Sequence, residues 1–179
     1  MKNFIQIFIF TMLLFSCSGN SPKDYADNEP KLDIRNFLNG KVIAHGILED
    51  RKGKVTRRFT VDMQAKWDGN KGVLDEYFTF DDGETSKRVW TIEFQDHHNF
   101  TATADDVVGI AKGQQHGNAL QMQYVLDLVV DNETKKSYHV TLDDWMHLID
   151  DQTLVNKSKI KKFGITFAKL TIFFKKLDD

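Results

Sequence analysis

Residues 56–67 read TRRFTVDMQAKW, and in this stretch Phe59, Val61, Met63, Ala65 and Trp67 alternate with Arg58, Thr60, Asp62, Gln64 and Lys66. A strict period of two places every second side chain on one face of an extended chain, so the segment is a half-buried β-strand. Asp68-Gly69-Asn70-Lys71-Gly72 supplies a turn. A second strand follows with Leu74, Glu76, Phe78 and Phe80 on one face, then a second turn at Asp81-Asp82-Gly83-Glu84. The next strand carries Arg88, Trp90, Ile92 and Phe94 on its apolar side.

The same rhythm returns at Leu120, Met122, Tyr124, Leu126 and Leu128, at Tyr138, Val140 and Leu142, and at residues 165–174. Residues 42–48, 100–103, 107–111 and 154–160 are weaker strand candidates, and no long amphipathic helix is present in the pattern. About eight to ten short antiparallel strands must bury one face and hide two edges, which closure into a barrel achieves. The expected fold is therefore all-β, an antiparallel up-and-down β-barrel of lipocalin-like type, with a two-sheet β-sandwich as the alternative.

Outward from this core, the N-terminus reads as an address. Lys2, the apolar run of residues 4–15 and then Leu14-Phe15-Ser16-Cys17 resemble a bacterial lipoprotein signal with its lipobox. The run is shorter than the roughly 20 residues a spanning helix needs. The expected organisation is a signal peptide over residues 1–16, a lipidated Cys17 and flexible tether over 17–31, and a single barrel domain over 32–179. Acyl chains on Cys17, palmitate among them, would fix the protein to a membrane of the cell envelope, facing the periplasm on the outer membrane if the host has two membranes. Cys17 is the only cysteine, so an acylated chain has no disulfide and no thiolate metal site.

Charge excludes one partner class. The full chain carries 24 basic and 26 acidic residues, and only Lys2 would leave with the signal. Such mild acidity lacks the basic footprint of nucleic-acid binders.

Chemistry is sought where polar residues fall on apolar faces, since a buried charge must be paired. Glu76 shares the face of Leu74 and Phe78, and Arg88 that of Trp90; a hairpin near Gly83 brings the two strands together with Glu76 diagonal to Arg88. The pair either closes a core or awaits a ligand, with Arg88 as an anchor for an anionic end. Asp143-Asp144-Trp145 and His147 form a second constellation, in which Asp144 inherits the inward side of its strand. Asp105-Asp106 reads as a turn, and the Gly-rich stretch 109–118 reads as a hairpin, since it lacks a P-loop ending. His45, on the first strand, has no assigned face. No hydrolase or protease signature occurs, and neither a metal nor a cofactor is indicated.

The order of several short motifs is similar to an uncharacterised bacterial lipoprotein family, domain of unknown function 3833. They are Phe37-Leu38-Asn39-Gly40, Ala44-His45-Gly46, Arg57-Arg58-Phe59, Leu74-Asp75-Glu76-Tyr77-Phe78 and Arg88-Val89-Trp90, then Asp106-Val107-Val108-Gly109, Asp143-Asp144-Trp145-Met146, Asn156-Lys157-Ser158 and Lys162-Phe163-Gly164. That resemblance implies no activity or catalytic residue. The expectation is a non-enzymatic envelope lipoprotein whose barrel binds a small amphipathic or lipid-like ligand through Glu76, Arg88, Trp90, Asp144, Trp145 and His45. Two alternatives stand beside it: an interaction lipoprotein with a filled core, and an acid–base enzyme using the cavity of Glu76 and Asp144, with or without His45.

Overall fold

The computed structural model describes residues 19–131, 134 and 136–177. The expected signal peptide and Cys17 lie outside them. A short 3-10 turn, Pro22–Tyr25, and a five-residue helix α1, Ile34–Leu38, precede ten strands. These are β1 Gly40–Asp50, β2 Val55–Asp68, β3 Lys71–Phe80, β4 Thr85–Phe94, β5 Asn99–Thr103, β6 Val107–His116, β7 Ala119–Asp131, β8 Lys136–Asp150, β9 Thr153–Lys162 and β10 Ile165–Lys176. Each strand pairs antiparallel with its neighbours in sequence, and β10 returns to β1, from Val42 opposite Lys176 to Asp50 opposite Ala168, to close the barrel. Closure leaves no sheet edge to aggregate, and ten strands enclose more space than eight.

The period of two is realised as burial. Phe59, Val61, Met63 and Ala65 of β2, Leu74 of β3, Trp90, Ile92 and Phe94 of β4, and Val140, Leu142 and Leu148 of β8 all face inward and are buried. Two close approaches explain glycines on inward faces. A Cβ at Gly46 would stand 2.2 Å from the Phe59 ring, and one at Gly113 would stand 2.0 Å from the Phe100 ring. The Gly-rich stretch is thus a hairpin, as expected, whose Gly113 lets β6 lie against an aromatic of β5.

Helix α1 plugs one end. The Asp33 carboxylate caps it by accepting from the Arg35 amide at 3.0 Å, and Ile34, Phe37 and Leu38 turn into the barrel. Buried Gln115 latches the plug by accepting from the Ile34 amide at 3.1 Å while donating to the His97 carbonyl at 3.1 Å. The opposite end, formed by the β1–β2, β3–β4, β5–β6, β7–β8 and β9–β10 turns, has no such helix among the described residues.

The expected tether differs from its composition over the described part. Ser21 and Asp24 form a capping box around the 3-10 turn, Pro22 is buried, and Tyr25 packs on Trp145 and His147 with ring centroids 5.9 and 5.1 Å away. Gly117 makes room for this: its φ is +54°, and a Cβ there would meet the Tyr25 carbonyl. Tight capping and aromatic contact hold a segment that has no period of its own. No helix of the described residues is long and apolar enough to cross a membrane.

Candidate functional site

The barrel interior divides into two chambers. The one beneath the open end holds about 270 Å3 and is walled by Phe59, Phe78, Leu126, Leu142, Ile160 and Ile172 among others. A second of about 70 Å3 lies against Ile34 and Leu38 of the plug. Glu76, Trp90, Met122, Met146 and Phe174 border both and form the partition.

Polar groups concentrate at that level. Glu76 stands directly opposite Arg88 in the β3–β4 ladder rather than diagonal to it, because the β3–β4 turn, with Gly83 at φ +86°, pairs Thr79 with Thr85. The Arg88 guanidinium does not bond Glu76; its Nη1 remains 3.9 Å from Oε2. It is held instead by Asp106, Nε donating to both carboxylate oxygens at 3.0 and 2.9 Å and Nη2 to Oδ2 at 2.6 Å. The cation expected to anchor an anionic ligand end is therefore already partly engaged by an acid of the chain itself. Glu76 accepts from the Trp90 indole at 3.2 Å, and Trp90 meets the Tyr124 ring edge-on at 5.3 Å. Tyr124 in turn donates its hydroxyl to Asp144 Oδ2 at 3.2 Å.

Two carboxyl groups are pushed towards neutrality. Burial raises Glu76 to about 7 against the opposing pull of Arg88 and Trp90. Burial likewise raises Asp144 to about 6, although Ser158 and Tyr124 favour its charged form. Burial and the Asp144 charge raise the Tyr124 hydroxyl well above its usual range, so it is a donor and not a phenolate. Arg88 stays cationic: burial opposes its charge, but Tyr124, Asp106 and Glu76 outweigh it. Asp144 Oδ1 is buried without a hydrogen-bond partner, which is costly unless something else fills that role. Asn156 and Ser158 of β9 also face this cavity, the Ser158 hydroxyl donating to Asn156 Oδ1 at 2.9 Å.

Four of the six expected ligand residues, Glu76, Arg88, Trp90 and Asp144, line this one cavity. Two do not. Trp145 follows Asp144 on β8 and so points outward, where it packs on Tyr25. His45, between inward Val42, Ala44 and Gly46, is exposed in an exterior groove with Thr60 and Phe173. The acid–base alternative is thus left without the His45 imidazole and keeps the carboxyls of Glu76 and Asp144 in one cavity. Asp106, a turn residue by sequence, is the principal partner of Arg88. At the mouth, Arg57 lies over the Phe80 ring at 3.6 Å and is tied to Asp82 and Glu84. No cluster suited to a metal ion occurs among the described residues.

The model of a family described as proteins of unknown function, DUF3833, matches residues 11–176. The chain belongs to this family. Its sequence matches no curated protein. Among solved structures, the S-type phycobiliprotein lyase CPES from Guillardia theta is similar, with a TM-score of 0.59, 6% identity, and coverage of 90% of this chain and 100% of that one. At that identity the likeness of the DUF3833 chain to this lyase is one of fold.

Proposed function

We propose that this DUF3833 protein is a lipid-anchored envelope protein whose barrel binds one small amphipathic molecule without transforming it. The observation that carries the reading is the cavity of about 270 Å3, near the roughly 300 Å3 lower end of small-molecule sites, with apolar and aromatic walls and a few convergent polar groups. Its polar end differs from the simplest sequence reading. Asp106 engages Arg88 through Nε and Nη2, while Asp144 presents an unpartnered acceptor. A ligand head that donates hydrogen bonds, such as a hydroxyl, amide or amine, suits this arrangement, since it would satisfy the open Asp144 oxygen. The likeness to a phycobiliprotein lyase supports the barrel fold and does not name a ligand.

Anchoring at Cys17 rests on the signal-like sequence alone. It makes the protein a periplasm-facing component of the outer membrane in a two-membrane host.

Trp90 reports on occupancy because its indole lies in the wall between the chambers. Titration with brominated single-chain alcohols and amines should quench Trp90 fluorescence saturably, and Trp90→Phe should remove that component. Equal, non-saturating quenching in both proteins would overturn the reading.

A further inference from the structure

The β9–β10 hairpin holds seven lysines, at positions 157, 159, 161, 162, 169, 175 and 176, and no acidic residue between Thr153 and Lys176, in a chain whose net charge is −2. Its tip carries an unusual apolar display. Phe163 has a φ of +51°, a left-handed conformation that an aromatic residue seldom adopts, and is 94% exposed, followed by Ile165 at 64% and Phe167 at 37%. Bare aromatics beside lysines in water gain nothing from burial within the fold. The tip of the β3–β4 hairpin, at the same end of the barrel, is instead acidic, with Asp81, Asp82 and Glu84.

A second observation is independent of the tip. Gly19 and Asn20 lie in an exterior groove lined by Lys157, Lys159 and Lys169, together with Glu49 and Asp143. Cys17 is two residues before Gly19, so an acyl group there would begin within about 7 Å of this face. The chain therefore arrives from its proposed anchor along the lysine-rich side.

We propose that the outer face and tip of the β9–β10 hairpin dock on an anionic bilayer surface, Phe163 and Ile165 entering the headgroup–acyl boundary while Lys159, Lys162 and Lys169 meet lipid phosphates. This rests on anchoring at Cys17. Lys161 is partly neutralised by Asp143 at 3.3 Å and contributes less. Lys162 lies 3.2 Å above the Tyr138 ring, which fixes it beside the tip. Apolar side chains with flanking cations are the composition of interfacial contact, and each surface lysine adds to the attraction of anionic lipid. Ile160 and Leu170, inward on the same strands, line the cavity, so docking brings its rim to the lipid.

The single cysteine makes the test clean, since acylation consumes it. A cysteine introduced as Phe163→Cys in the lipidated full chain, and separately as Glu84→Cys, takes a nitroxide label. The proteins are reconstituted on phosphatidylcholine vesicles with and without phosphatidylglycerol, and label collisions with oxygen and with a water-soluble nickel chelate are compared. The expected result is an oxygen-dominated label at position 163 only with phosphatidylglycerol, a water-dominated label at 84 in both, and reversal at 163 by Lys162→Glu with Lys169→Glu. A protein that floats with vesicles while label 163 stays in water overturns the docked hairpin and leaves the anchor standing. Failure to float overturns both. Protection of label 163 in solution without vesicles assigns the tip to a protein contact and overturns lipid docking.

Discussion

Arg88 faces Glu76 across the β3–β4 ladder, yet it spends its bidentate hydrogen bonds on Asp106 and leaves Glu76 at 3.9 Å. The consequence is one neutralised cation and two inward carboxyls that burial drives towards protonation. Replacing Arg88 by Met would strand Asp106 and remove the charge that restrains Glu76. Breaking a buried pair costs about 3–5 kcal/mol, but Asp106 is partly exposed, so a loss on the order of 2 kcal/mol is expected in urea unfolding. Arg88→Met with Asp106→Asn should recover part of it.

Stability should fall as pH rises through the range set by Glu76. Its folded value of about 7 lies above the ordinary 4.5, so between these limits the folded state binds more protons than the unfolded one, and the slope of unfolding free energy against pH is negative. The effect is absent below pH 4.5, complete above 7, and at most about 3 kcal/mol. Glu76→Gln should remove this part of the slope. Equal pH profiles for the two proteins would show that Glu76 titrates normally. His116 and His147, whose values burial lowers, act in the opposite direction and cancel in the comparison.

Gly113→Ala should cost about 1–3 kcal/mol by overpacking against Phe100. Thermal unfolding of the double variant with Phe100→Leu checks the cause: the two losses should be less than additive, whereas full additivity would mean that the glycine is needed for another reason.

Anchoring predicts that Cys17→Ser moves the protein out of the membrane fraction and abolishes incorporation of labelled palmitate. Retention of both would remove the lipobox reading.

Alternation made β2, β3, β4, β7 and β8 legible in the sequence, and with them the inward placement of Glu76, Arg88, Trp90 and Asp144. The weaker candidates at 42–48, 100–103, 107–111 and 154–160 became β1, β5, β6 and β9. Asp106 escaped notice because its role depends on strand length. β5 ends at Thr103, so the following turn places Asp106 beside Arg88 although a strand intervenes in the order. The available signal was that an arginine on an apolar face demands an acid partner. Trp145 follows inward Leu142 and Asp144 out of phase, so parity sends it outward onto Tyr25 and away from the cavity. His45 has the parity of the exterior once Val42 and Ala44 are known to be core. Asn156 and Ser158 share the parity of Leu154 and Ile160, which sends them inward opposite Lys157, Lys159 and Lys161, and the register with β8 sets Ser158 beside Asp144.

Native mass spectrometry of the protein purified gently from its own host, with lipid extraction in parallel, tests the binding cavity most directly. The account predicts one co-purified amphipathic molecule per chain, released on unfolding and lost when Met122→Trp fills the partition between the chambers. A bare chain, or a bound molecule retained at the same stoichiometry in Met122→Trp, would contradict it.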